Sequence, residues 1–262
     1  MSKALVLLAA SLFACAGALA GTQQAQQRGK LQAGVRYVVP EYKAGMKFRT
    51  PETLDQALLE DVARRLRVPL ATLRAEPGSE TRLLDHGRAD IVLAPVAQAG
   101  APRGHTVIHT GYVSAPMAIM RTDTDIKSWE QLRGRKVCVS EGGVHAGTVA
   151  ARYGAVEMVY RAPADALIAV RVGECDATVH DSALLEELVK YPEWKKFSAR
   201  LPAGARTPLA FIVPAADRNS AAVLRQVVQE WNADGTLDKQ MKKAVRDIAF
   251  EVYLDQTAPD CH

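Results

Sequence analysis

The sequence is short of several things that would narrow its role at once. Aromatic residues make up 6% of the 262 positions, and 33 Lys and Arg are scattered among 29 Asp and Glu, the mixture of a solvated surface. With no basic stripe, nucleic-acid binding has no support. Only four cysteines are present, no two within a few residues of each other, so the paired spacing of a cysteine zinc site is missing. No apolar run reaches the roughly 20 residues that cross a bilayer. The apolar stretch at residues 4–14 reads instead as the core of a secretory signal over residues 1–20. Lys3 supplies its positive start, and Ala18-Leu19-Ala20 gives a small-x-small cleavage site before Gly21. The competing reading is a lipid anchor at Cys15, which Phe13 fits poorly. Cleavage takes away Lys3 alone among the charges, so the balance falls from +4 to +3.

Cys15 leaves with that segment, and an odd set remains: Cys138, Cys175 and Cys261. In an oxidising compartment this permits one disulfide and one free thiol. Cys138 and Cys175 fall near strands of one lobe and can pair; Cys261 can compete, and the sequence does not decide.

What the chain does have is a repeated unit. Gly87-Arg88-Ala89-Asp90-Ile91-Val92-Leu93-Ala94-Pro95 is echoed by Gly173-Glu174-Cys175-Asp176-Ala177-Thr178-Val179-His180-Asp181. Each follows an amphipathic run, turns on glycine, places Asp three residues later and enters an apolar strand. Two such units suggest two similar α/β lobes. Hydrophobic residues, 48% of the chain, suffice for their cores.

Residues 21–30 are polar, lack an apolar period and are expected to form a mobile leader. The fold begins with a strand at 31–39, stopped by Pro40. After a loop, Thr50-Pro51-Glu52-Thr53 reads as the start of a helix, with a capping hydroxyl and an early Pro. Leu54, Leu58, Val62 and Leu66 give that helix a buried face. Through Pro95 the pattern is β-α-β-α-β, a parallel sheet with right-handed crossovers, whose strand ends are where ligands bind. Residues 115–121 and 207–214 read as two paired hinge strands. A second α/β series fills 122–206, and Val223, Val227 and Trp231 mark a helix covering the first sheet. The expected architecture is α/β: lobe 1 from 31–114 with 215–262, lobe 2 from 122–206, each a mostly parallel sheet flanked by helices, hinged as a clamp.

Five segments in order resemble the bacterial extracellular solute-binding proteins of family 3, the type II periplasmic binding fold. They are the strand ending at Pro40, the unit at Gly87, Leu132-Arg133-Gly134-Arg135-Lys136-Val137 leading to Ser140-Glu141-Gly142, the unit at Gly173, and Trp231-Asn232-Ala233-Asp234-Gly235-Thr236. The resemblance implies a monomeric periplasmic receptor. It captures a small polar, amino-acid-like or carboxylate-bearing solute by cleft closure and delivers it to the membrane permease of an ABC importer. It implies no cofactor and no reaction. Carried over residue by residue, Arg103 holds the solute's carboxylate together with Gly142 and Gly143 at the opening of the next helix, and Asp181 holds its ammonium; Ser140, just before them, is a further expected ligand contact. An arginine fork, a helix N-terminus and an acceptor-only carboxylate suit those tasks. The sequence departs from the family in four respects: no Thr precedes Arg103, the spacing from Asp90 to Arg103 is one residue longer than usual, Gly143 stands where Thr or Ser is usual, and Arg36-Tyr37 replaces an acid after the first strand.

Each site residue has a plainer reading. Arg103 sits in a Pro-Arg-Gly loop, and Asp181 suits the cap of a helix starting at Ser182. Tyr37 and Tyr42 read equally as stacking on a ligand or as packing. His105, His109, His145 and His180 lack metal spacing, and His145 is the one favoured as a ligand contact. Two other functions share the fold: a dehydratase-like enzyme using Glu141 and His180, and a ligand-presenting partner of a membrane sensor.

Overall fold

The computed structural model describes residues 21–96 and 101–255. The expected signal segment, Cys15 and Cys261 lie outside the described residues.

The described strands form two five-stranded sheets. In the first, β1 (Leu31–Val35) runs parallel to both β2 (Leu70–Arg74) and β3 (Ile91–Pro95), while β4 (His105–Ser114) joins at the far side. The second holds β5 (Pro116–Met120), β6 (Lys136–Ser140), β7 (Val156–Tyr160), β8 (Ala177–Asp181) and β9 (Ala199–Leu201), with β6 parallel to β7 and β8. The late strand β10 (Thr207–Pro214) returns to the first sheet, antiparallel between β3 and β4. The strand orders, β2-β1-β3-β10-β4 and β7-β6-β8-β5-β9, describe one plan used twice. Helices pack on these sheets, so β3 from Ile91 to Ala94 and all of β8 are buried, as parallel strands covered on both faces must be.

Residues 21–30 are not a mobile leader. Gly21–Arg28 form helix α1 on the first lobe. Thr22 is buried, its amide and hydroxyl both bonded to Ser220 Oγ, and Arg28 pairs with Asp90. These are polar tertiary contacts plus one buried methyl, Ala25, so no apolar period advertised them. Helix α2 (Asp55–Leu66) buries Leu58, Leu59, Val62, Ala63 and Leu66, the stripe its spacing predicts. It starts later than expected, which frees Glu52 from the helix. The short α3 (Arg82–Asp85) leads into Gly87.

In the second lobe α4 (Thr148–Tyr153) follows a run of turns, α5 (Pro163–Arg171) starts on proline, and α6 (Ser182–Leu188) follows β8 directly. Helix α7 (Arg218–Asp234) is held at its start by Asp217 and stopped by Gly235 at φ +70°. It packs on β4, β10 and α1, as a cover for the first lobe. Helix α8 (Thr236–Asp255) departs from the expected division, because it lies against α5 and α6 of the second lobe.

The hinge also differs from expectation. Residues 115–121 and 207–214 do not pair with each other: β5 lies wholly in the second sheet, and β10 wholly in the first. The pairing at the crossing is Ser114 opposite Thr207, and the Gly204 amide donates to Pro116 O at 2.8 Å. Two crossings therefore lie side by side, the geometry of a hinge. A disulfide joins Cys138 on β6 to Cys175 before β8, with Cα atoms 5.8 Å apart.

Candidate functional site

Where β4 crosses into β5, side chains of both lobes meet. From the first lobe come Glu52, ahead of α2, and Tyr112 and Ser114 at the end of β4. From the second come Ser140, ending β6, His145 in the following turn, and His180 and Asp181, ending β8. Ser140, His145, His180 and Asp181 are all buried, and so is Glu52 at 4% exposure.

Glu52 is the centre of this cluster. Its Oε2 accepts from Ser140 Oγ and from His180 Nδ1 at 2.9 Å, and its Oε1 accepts from the Asp181 amide at 3.0 Å. All three donors belong to the other lobe. Behind His180, Thr178 donates to Cys138 O at 3.0 Å and lies 2.8 Å from His180 Nε2. A hydroxyl has one proton to give, so Nε2 donates to Thr178, and Nδ1 faces a carboxylate that can only accept. A doubly protonated ring satisfies both, making Glu52 and His180 a buried ion pair. Burial works to raise the Glu52 carboxyl, but the charge and hydrogen bonds of His180 and the Ser140 hydroxyl outweigh it and hold it below the usual carboxylate range.

Asp181 does two jobs. Its Oδ1 accepts from the Ala183 amide at 3.0 Å, capping α6, and its Oδ2 accepts from the Tyr112 hydroxyl of the other lobe. Burial raises it above the ordinary range against these bonds, and the neighbouring Glu52 charge adds to the rise. Ser114 Oγ and His145 Nε2 are 3.0 Å apart, another contact across the lobes, and burial lowers the His145 imidazole. Nearby Asp55 is pushed up to about 7 by burial, only partly offset by Arg36.

Two glycines admit the first lobe's side chains. A Cβ on Gly142, whose φ is +77°, would lie 2.2 Å from Tyr37 Cγ, and one on Gly143 would lie 2.6 Å from Glu52 Oε2. A side chain at either place would force Tyr37 or Glu52 to move. The structure thus brings Tyr37, Ser140, Gly142, Gly143, His145 and Asp181 together. It corrects their setting, because α4 begins only at Thr148, and the Gly143 amide is spent on Ser140 O at 3.1 Å.

Arg103 is not brought to this cluster. Its carbonyl bonds His105 Nδ1 at 3.0 Å, and His105 stands opposite Pro214 while Ser114 stands opposite Thr207. At about 3.4 Å per residue, β4 puts roughly 30 Å between the two ends. Because β4 runs in the same direction as β3, the chain must return to the far edge of the sheet before β4 begins, and Arg103 sits at the end of that return. Sequence reasoning missed Glu52, Tyr112 and Ser114. Glu52 was absorbed into a helix start, and the signal for the other two was their position just before the crossing.

The cavity beside Tyr112, Ser114 and Asp181 holds about 10 Å³. A second cavity between the lobes, of about 160 Å³, is lined by Tyr37, Tyr42, Phe48 and Arg49 of the first lobe and by Arg161 and Ala162 of the second. No metal-holding group of three or more His, Cys, Asp or Glu occurs among the described residues.

The fold recurs in solved structures. An amino acid ABC transporter substrate-binding protein, AbpA from Streptococcus pneumoniae bound to L-arginine, matches with a TM-score of 0.60 at 13% identity, over 87% of this chain and 99% of that one. The fold is that of the two-lobe periplasmic binding proteins. A P235GK mutant of ArgBP from T. maritima matches at 0.58 with 19% identity over 85% of this chain and 98% of that one. The ancestral amino-acid-binding protein AncCDT-1, described as a precursor of cyclohexadienyl dehydratase, matches at 0.57 with 19% identity over 86% and 99%. No protein-family model and no curated protein matches the sequence.

Proposed function

We propose that the protein is a secreted, periplasmic solute-binding receptor. It closes its lobes on a small polar, amino-acid-like or carboxylate-bearing solute and presents it to the permease of an ABC importer, acting as a monomer and without a reaction. The observation that carries this reading is the set of polar contacts crossing between the lobes at the hinge: Glu52 to Ser140 and His180, Tyr112 to Asp181, Ser114 to His145. A solute that exchanges for or adds to such contacts binds the closed form better than the open one, which drives closure. The solved relatives of the fold are named as amino-acid receptors, which supports the same class of solute. No described helix is long and apolar enough to cross a membrane.

A second reading is an enzyme, favoured by the buried Glu52–His180 pair and by the dehydratase precursor among the solved relatives. The cavity beside that cluster is about 10 Å³, so an organic substrate would reach the pair only with the lobes apart. One experiment separates the two: a thermal-shift screen of amino acids and organic acids, followed by incubation of the best binder and mass spectrometry. A raised midpoint with no product supports the receptor, since ligands of the native state stabilise it. Multiple turnovers would replace it with the enzyme.

A further inference from the structure

The inner part of the cleft and its outer part differ in what they offer. At the inner part, Glu52 already accepts from Ser140, His180 and the Asp181 amide, so a solute carboxylate would have to evict a carboxylate of the chain. The remaining space is at the lower limit for one water, which needs roughly 10–15 Å³. The outer cavity is about sixteen-fold larger, about 160 Å³ against about 10 Å³, and is likewise walled by both lobes.

Its walls are chemically one-sided. Tyr37 packs against Gly142, and Tyr42 and Phe48 stand 67% and 71% exposed around the opening. Three cations line it. Lys47 and Arg49 are neutralised by Asp255, and Arg49 by Asp165 as well. Arg161 meets no carboxylate among the described residues, and its guanidinium donates only to Lys47 O, at 3.4 Å. It lies close enough to Tyr37 to act on the phenol, opposed there by Glu141. Ala162, beside it, precedes α5 with no side chain capping that helix's first turn. A planar apolar body with one anionic end matches this wall: rings for the body, a fork for the anion.

Resting on the receptor reading above, we infer that the solute seat is this outer cavity, and that it takes a small aromatic or similarly flat monocarboxylate, with Arg161 of the second lobe binding the carboxylate and Tyr37 of the first stacking on the ring. Such a ligand touches both lobes and leaves the Glu52 contacts intact.

The test is calorimetry with benzoate, phenylacetate, L-arginine, L-glutamine and sulfate on the full mature chain, its Arg161→Gln and Asp181→Asn variants, and Arg121→Gln as a surface control. Expected are binding of an aromatic carboxylate, weakening of at least about tenfold in Arg161→Gln as one partner of a charge pair is lost, and no change in Arg121→Gln. Aromatic binding that is equal in Arg161→Gln overturns the seat. Binding of sulfate as tight as benzoate overturns the flat body. An amino acid that binds through Asp181 and not Arg161 overturns the inference while the receptor stands. No binding by any probe sinks both.

Discussion

The two Gly-x-x-Asp units invite a direct comparison, because their hydrogen bonds and strand registers correspond. In the first lobe the Asp90 amide donates to Gln32 O and its Oδ2 accepts from the Gln32 amide, both at 2.8 Å. In the second, Asp176 does the same with Lys136, both at 2.9 Å. Each Asp is also met by an arginine, Arg28 and Arg135. The registers correspond: Gly34 faces Val92 on β1 and β3 as Cys138 faces Thr178 on β6 and β8. So the repeated motif is a clasp between neighbouring strands, and its Asp is not a site residue. The difference lies farther along. Where the second lobe ends its strands with Ser140, His180 and Asp181, the first has Arg36, Ala94 and Pro95 at the corresponding positions. Arg36 is itself taken by Glu80. The first lobe compensates from a loop, with Glu52. One lobe carries its polar groups on rigid strand ends, and the other delivers its anion from outside the repeat.

Breaking that asymmetry has its largest effect at Glu52. Glu52→Ala leaves His180 a buried charge without its partner and two further donors unmet, a loss of about 3–5 kcal/mol. Urea melts read the loss, and X-ray scattering should show a larger radius of gyration. Unchanged dimensions with lowered stability would reduce Glu52 to a packing residue of one lobe. The pH dependence carries the same signature. Glu52 is held below the usual range, so its contribution is complete above the ordinary carboxylate value and fades as pH falls through the lowered one. Asp55 has the opposite sign: its folded value is raised from 3.8 to about 7, so it favours the fold at low pH and that contribution is lost as pH rises through about 7. Asp55→Asn should flatten the stability profile over that window, and Glu52→Ala should flatten the acid side.

The disulfide sharpens the comparison next. The second lobe staples β6 to the turn before β8 across a separation of 37 residues, whereas the first has Gly34 and Ala89 at the matching places. Replacing both cysteines with serine should cost about 2–4 kcal/mol, seen as a lower urea midpoint. If the loss is confined to the second lobe, tryptophan fluorescence at Trp194 and Trp129 will move ahead of that at Trp231. A single coincident transition would mean that the lobes melt as one unit.

These contrasts also mark what was legible beforehand. The two-lobe plan followed from hydrophobic period and from the repeated glycine turn, signals that each segment carries locally. Ser140, Asp181 and the glycines were named through the family resemblance, and the structure places them at or just after strand ends, where open α/β sheets bind ligands. Glu52 was hidden, because Thr50-Pro51-Glu52 resembles a helix start, and only the packing of two lobes decides that the helix waits until Asp55. Arg103 failed for the converse reason. A local motif placed it after β3, but the chain travels back along the whole sheet before β4 begins. Helix α1 was unreadable because it is anchored by Ser220 and Asp90, residues distant in sequence.

A smaller effect tests why the first lobe lacks the staple. A Cβ at Gly34 would stand 2.7 Å from Val92 Cγ2 and 2.9 Å from Leu83 Cδ1, so the place of a sulfur is filled by packed side chains. Gly34→Ala should cost about 1–3 kcal/mol by overpacking, measured by urea melts. Gly34→Ala with Leu83→Ala should recover part of that loss, and failure to recover would locate the strain elsewhere.

The smallest difference lies in the clasps themselves. Asp90 is 5% exposed, and burial raises its carboxyl despite the bonds from Gln32 and Arg28. Asp176 is exposed, and its arginine stands 3.7 Å away. Removing Asp90 strands the Gln32 amide and leaves Arg28 of α1 without its partner, at about 1–3 kcal/mol. Removing Asp176 lets water take the Lys136 amide and should cost under about 1 kcal/mol. Parallel melts of Asp90→Ala and Asp176→Ala read this directly, and the gap should persist at high salt because it comes from burial and not from the arginine. Equal losses would mean that the strand clasp alone sets the value. The burial supplied by α1 would then add nothing, and the first lobe's extra helix would need another reason to be there.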